Sequence, residues 1–160
     1  MAILKILKDN DPALRKICRR VDSVTPHICR LLDDMRDTLL RADGVGLAAP
    51  QVGVLRRIVL VMNEEGKIYE LINPEIIAYT AERQQEMEGC LSLPNRWGIT
   101  DRPASVTVKA IDRTGKEYTV TGTGLTARCF CHELDHLDGI LFPDKAIRML
   151  TEEEIRQLQK

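Results

Sequence analysis

No apolar run in this sequence approaches the roughly 20 residues that a bilayer-spanning helix needs. The opening stretch MAILKILKDN is broken by Lys5 and Lys8, and its apolar run is too short for a secretory signal. An excess of one charge is also missing: 23 basic residues against 24 acidic ones leave a net charge of −1. The basic residues are spread along the chain and form no stripe of the kind that nucleic-acid binding requires. The cysteines lack pairing logic, being five in number and irregular in spacing, which fits a reducing compartment better than a disulfide framework. A cytoplasmic protein with no membrane contact and no direct nucleic-acid site is therefore expected. Repeats, low-complexity tracts and linkers are absent as well, so residues 1–160 read as one domain around one core, expected as a monomer. What is present, 44% hydrophobic and 29% charged residues, is the balance of a folded globular chain.

After an N-terminal segment around Asp11-Pro12, Thr25-Pro26 reads as an N-cap followed by a first-turn proline. Ile28, Leu31, Leu32, Met35 and Leu39 recur at spacings of three and four, predicting an amphipathic helix over about 26–41 that Gly44 and Gly46 end. The middle is strand-like. IVLVM (58–62), YELINPEIIAY (69–79), SVTVKAID (105–112) and EYTVTGT (117–123) lie between turn signals such as Glu65-Gly66 and Thr114-Gly115. A second helix is predicted from Thr123 or Leu125 to Asp138, with Gly139 as its C-cap. The tail TEEEIRQLQK has room for a last helical turn or two. Strands clustered between two helices indicate an α+β domain.

The second helix contains HELDH, two histidines four apart with a glutamate after the first, the HExxH pattern of metal-dependent hydrolases. His132 and His136 project roughly 40° apart on a helix and can converge on one ion. Glu133, roughly 100° round from His132, is better placed to reach a metal-bound water than to ligate, which suits a general acid/base. Phe130, Leu134 and Leu137 form a core face, and Cys131, Asp135 and Asp138 a polar seam.

A catalytic centre of the zinc type needs a third protein ligand and an open position. The extended protease pattern would place a histidine at 142, where this chain has Phe142. His27 stands near the start of the first helix, where a surface role is expected. Glu152, Glu153 and Glu154 sit in a charged tail. Cys129 lies one turn before His132 and is a rival ligand, although three ligands from one helix close poorly around a tetrahedral ion; an apolar filler on the pocket floor is the plainer role. Cys18 and Cys29 read as core cysteines. Cys90, in MEGCLSLPN between a polar strand-like run and a Pro-Asn turn, reads as a loop cysteine beside Gly89 that can approach a helix closely. Two rival readings stay open on these residues alone: a zinc peptidase with a carboxylate ligand, and a closed structural site using Cys129 as fourth ligand.

GVGLAAPQ (44–51), EGCLS (88–92) and HELDHLDG (132–139) resemble, in order and spacing, the three signature motifs of the peptide deformylases. The likeness runs from the opening ILKILKDNDPALRK to about Asp144. It implies antiparallel or mixed β-sheets around a central HExxH helix, with the N-terminal helix packed outside. It implies Cys90, His132 and His136 as metal ligands and Glu133 as the acid/base. Gln51 and the Leu91 N–H would serve the oxyanion, and backbone at Val45, Gly46 and Gly89 would hold the peptide as an added strand. Val45, Leu125 and Cys129 would line the pocket for the methionine side chain. The implied cofactor is one divalent ion, ferrous iron natively, with Zn2+, Ni2+ or Co2+ able to replace it. The implied substrates are N-formylmethionyl peptides of nascent chains, with the ribosome surface as a further partner.

Two features need separate treatment. Gly44-Val45-Gly46-Leu47-Ala48-Ala49 also satisfies the dinucleotide-binding pattern GxGxxA, with Glu64 about 20 residues on. A helix precedes it where a strand is required, and Pro50 and Gly53 interrupt the helix that should follow. The other is a departure from the resemblance: Glu86 and Arg128 stand where many relatives have apolar residues. A salt bridge across the pocket rim is one expectation, and an altered preference for the first side chain is the other.

Overall fold

The structure is a computed structural model that describes residues 2–160. Helix α1 spans Pro26–Arg41, with the Thr25 hydroxyl accepting from the Ile28 N–H at 3.3 Å. Its apolar stripe of Leu32, Met35 and Leu39 is fully buried against Leu47, Ile58, Leu60 and Ile72. The predicted limits match those observed because cap and periodicity are both local signals.

The strands are β1 Gly46–Ala48, β2 Ile58–Met62, β3 Ile68–Tyr79, β4 Arg83–Cys90, β5 Leu93–Pro103, β6 Ser105–Ile111, β7 Glu117–Thr123 and β8 Ala146–Met149. They form a five-stranded sheet in the order β1-β2-β3-β6-β7 and a three-stranded sheet in the order β4-β5-β8. Every strand pair in both is antiparallel, which resolves the expectation of antiparallel or mixed sheets. Gly66 and Gly115, at φ 86° each, make the turns before β3 and β7.

Helix α2, Gly124–Leu137, has ten of its fourteen residues buried, so it is the central helix that the sequence suggested. Phe130, Leu134 and Leu137 pack into a core with Val59, Val61, Leu71, Val106 and Val108. Gly139 ends the helix at φ 72°, and a Cβ there would stand 2.5 Å from the Arg15 carbonyl oxygen. The N-terminal segment therefore packs directly on the end of α2. The tail forms the short helix α3, Glu152–Leu158. Among the described residues, no helix is long and apolar enough to cross a membrane.

Three expectations need correction. Cys90 is the last residue of β4 rather than a loop residue. Cys131 is not on a polar seam; it is buried in the apolar cluster, while Asp135 and Asp138 pair with Arg102 and Arg57. Cys29 is only half-buried, with its thiol 3.8 Å from the Arg113 carbonyl. His27 is exposed and Cys18 buried, as expected.

Candidate metal centre and active site

Two sheet edges and one helix build the site. Strands β1 and β4 each lie at the end of their sheet. A cavity of about 590 Å3 is bounded by Gly44 to Gly46 before and within β1, by Met87 to Leu91 around the end of β4, and by Leu125, Arg128, Cys129, His132 and Glu133 of α2. Val45 and Leu125 supply exposed apolar surface at 41% and 39% accessibility. The Val45 carbonyl already accepts the Met62 N–H at 2.8 Å.

Cys90, His132 and His136 offer ligand atoms that all lie within 4.8 Å of one another. His132 Nε2 and His136 Nε2 are 3.3 Å apart, and Cys90 Sγ is 3.4 Å from His136 Nε2. Tetrahedral bonds of about 2.0–2.3 Å place neighbouring ligands about 3.3–3.6 Å apart. Two edges of the triangle match this spacing and the third lies within 4.8 Å, so the donor set fits a divalent ion.

The residues behind this set hold it in place. Glu88 Oε2 is 2.7 Å from His132 Nδ1, leaving Nε2 turned to the other donors. Arg102 Nη2 donates to the same carboxylate oxygen at 2.8 Å, Thr100 to Oε1 at 2.8 Å, and Arg102 Nη1 to Asp135 at 2.8 Å. Burial alone would raise the Glu88 carboxyl, but the bonds from His132 and Arg102 hold it down at about 2. Phe142, where an extended protease pattern would have a histidine, stacks on His132 at 6.2 Å between centroids. Sequence reasoning missed Glu88, Arg102 and Ser92 as site residues. Glu88 stands two residues before Cys90, but the strand register is broken between them, so simple alternation along the strand could not have found it.

Glu133 and Gln51 flank the donors. Glu133 is buried and its Oε1 has no protein partner. Burial pushes its carboxyl up to about 7, with Glu88 adding to the rise and His132 opposing it. Gln51 is oriented by its own loop: Oε1 accepts the Ala48 N–H at 2.9 Å, turning Nε2 to Ser92 Oγ at 3.1 Å and Cys90 Sγ at 3.7 Å. Leu91 follows Cys90 and borders the same cavity, as does Gly89, on which the Trp97 ring lies.

The rival ligands stay outside the cluster. Cys129 is buried, and burial pushes its thiol up to about 12, with Glu133 adding to the rise. Glu153 and Glu154 are engaged by Arg156 and Arg148, and Glu152 is exposed in α3. The expected bridge from Glu86 to Arg128 is not formed. Arg128 Nη1 donates instead to the Met87 carbonyl at 2.7 Å, and Glu86 is exposed.

Residues 3–152 match the family described as Polypeptide deformylase. The chain belongs to that family. A peptide deformylase from Caldicellulosiruptor bescii is 53% identical over 157 residues, covering 98% of this chain and 93% of the relative. Among solved structures, a peptide deformylase from Legionella pneumophila has a TM-score of 0.86 at 38% identity, covering 99% of this chain and 96% of that one. The Synechococcus elongatus deformylase, solved in complex with actinonin, has a TM-score of 0.87 at 34% identity, covering 98% and 84%. Deformylases are metal-dependent hydrolases that remove the N-terminal formyl group from new polypeptides, and this chain is an enzyme of that kind.

Proposed function

We propose that this deformylase runs its reaction with Cys90, His132 and His136 as metal ligands, Glu133 as acid/base, and Gln51 with the Leu91 N–H as oxyanion donors. The observation that carries the reading is the Cys90–His132–His136 triangle, with Glu133 and Gln51 on its flanks. Bound by these three side chains, a divalent ion supplies Lewis-acid charge and lowers the pKa of water towards neutrality. Glu133 accepts the proton of the attacking water and returns it to the leaving amine, and the unpartnered Oε1 supports that role. Gln51 Nε2 and the Leu91 N–H donate to the formyl oxygen as it gains charge, each worth about 3 kcal/mol in a well-formed site.

The peptide is held as an added strand by backbone at Val45, Gly46 and Gly89, between the two open sheet edges. Val45, Leu125 and Cys129 receive the methionine side chain, and the neutral Cys129 thiol suits an apolar floor. A thiolate and two imidazoles suit ferrous iron in the cell, with Zn2+, Ni2+ or Co2+ as substitutes. All five cysteines are unpaired, the state that a reducing cytoplasm maintains. Residues 1–160 act as one catalytic domain, a monomer, on nascent N-formylmethionyl chains at the ribosome surface.

Formate release from formyl-Met-Ala-Ser by iron-loaded protein kept without oxygen tests the reading. Turnover of the formylated peptide alone is expected. Cleavage of an internal bond in unformylated peptides, retained in Cys90→Ala, would favour a peptidase instead.

A further inference from the structure

The second face of β4 meets α2 as a ladder. Gln84, Glu86 and Glu88 alternate along the strand, while Gly124, Arg128 and His132 are four apart on the helix. Two strand residues advance about 6.8 Å and four helical residues about 6 Å, so the rungs stay in register. The outer rungs are made: Gln84 Nε2 donates to the Gly124 carbonyl at 2.9 Å, and Glu88 holds His132 at 2.7 Å. The middle rung is not. Glu86 stands exposed, and Arg128 turns to the Met87 carbonyl at the cavity wall.

That single bond engages one of the five N–H donors of a guanidinium. Nε is buried with no partner, and no protein group among the described residues accepts from Nη2. Arg128 thus brings the free N–H groups of Nη2 to a wall otherwise made by Val45, Leu125 and Cys129. Half-buried donors of this kind gain from an acceptor supplied by a ligand, and discriminate against a ligand that lacks one.

We propose that Arg128 is a specificity-determining residue, favouring first side chains that end in a hydrogen-bond acceptor over wholly apolar ones of the same length. This rests on the pocket assignment made above. Methionine sulfoxide and norleucine are the probes, since they match in length and differ in the acceptor oxygen.

The test compares kcat/KM for formyl-Met(sulfoxide)-Ala-Ser and formyl-norleucyl-Ala-Ser in the wild type and in Arg128→Met. The ratio of sulfoxide to norleucine is expected to fall about tenfold in the variant. A parallel readout is binding of the deformylated peptides to zinc-loaded protein, followed by fluorescence of Trp97, the single tryptophan, which borders the cavity. The same shift in the ratio of Kd values is expected there. An unchanged ratio in both assays overturns the proposal. Should Arg128→Met fail to fold, the wild type alone decides: a norleucine preference above tenfold overturns it, and equal or better use of the sulfoxide supports it. Loss of formate release from formyl-Met-Ala-Ser itself would strike the catalytic assignment, and the binding assay would still read Arg128.

Discussion

A Cβ on Gly46 would stand 2.4 Å from Oε2 of Glu133. The edge of β1 and the carboxylate of α2 are in contact, and only a hydrogen at position 46 leaves the carboxylate where it is. The glycine therefore sets the position of the carboxylate proposed as acid/base, a role separate from any conformational freedom it gives the loop. Gly46→Ala is expected to fold, to keep its metal, and to lose about 100-fold in turnover, the usual cost of a displacement near 1 Å at a reacting group. Parallel assays of formate release and of metal per chain check this; full activity in the alanine variant would refute it.

Glu133→Gln preserves shape and removes the proton-accepting charge. Turnover should fall between about 10²-fold and 10⁴-fold, the range for a positioned acid/base, with metal content unchanged. Near-normal formate release would dismiss Glu133 from its role.

Cys90→Ala removes the one proposed ligand that does not come from α2. Both metal content and turnover should be lost, because two imidazoles alone hold a divalent ion weakly. Elemental analysis of the purified variant gives the answer, and stoichiometric metal in it would contradict the assignment.

Glu88→Gln tests the support behind His132. Such outer partners are worth about 10-fold to 100-fold in metal affinity, so competition with a chelator should reveal a loss of that size. Glu88→Ala adds a stability cost of at most about 3–5 kcal/mol, the cost of a fully broken buried pair, because the buried Arg102 keeps Asp135 as its remaining counter-charge. Urea unfolding measures that cost, and an unaltered midpoint would count against it.

Phe130→Ala probes the face of α2 that points away from the Cys90–His132–His136 cluster. The ring is fully buried and lies against Gly122 of β7, where a Cβ would come within 2.8 Å of it. A loss of about 3–5 kcal/mol is expected from denaturant unfolding, since the neighbouring strands cannot close over the space.

By itself the sequence determined α1 and α2 with their ends, the HELDH pair of histidines, and the order of the three motifs. Those features rest on caps, on a period near 3.6 and on residue spacing, which are properties of contiguous chain. Strand β4 was visible only as a polar strand-like run, and β5 and β8 were not distinguished. RQQEMEGC is a largely polar edge strand, and Pro94, Gly98 and Pro103 interrupt the pattern of β5. The motif resemblance pointed to Cys90, but residue spacing alone left Cys129 as a rival. The tertiary structure decided which cysteine meets the histidines, since Cys90 and His136 are 46 residues apart. It also decided that Glu88 and Arg102 stand behind His132, and that Arg128 binds Met87 rather than Glu86. The physical reason is that such contacts follow from strand register and from helix-to-sheet packing, which no local window of the chain encodes.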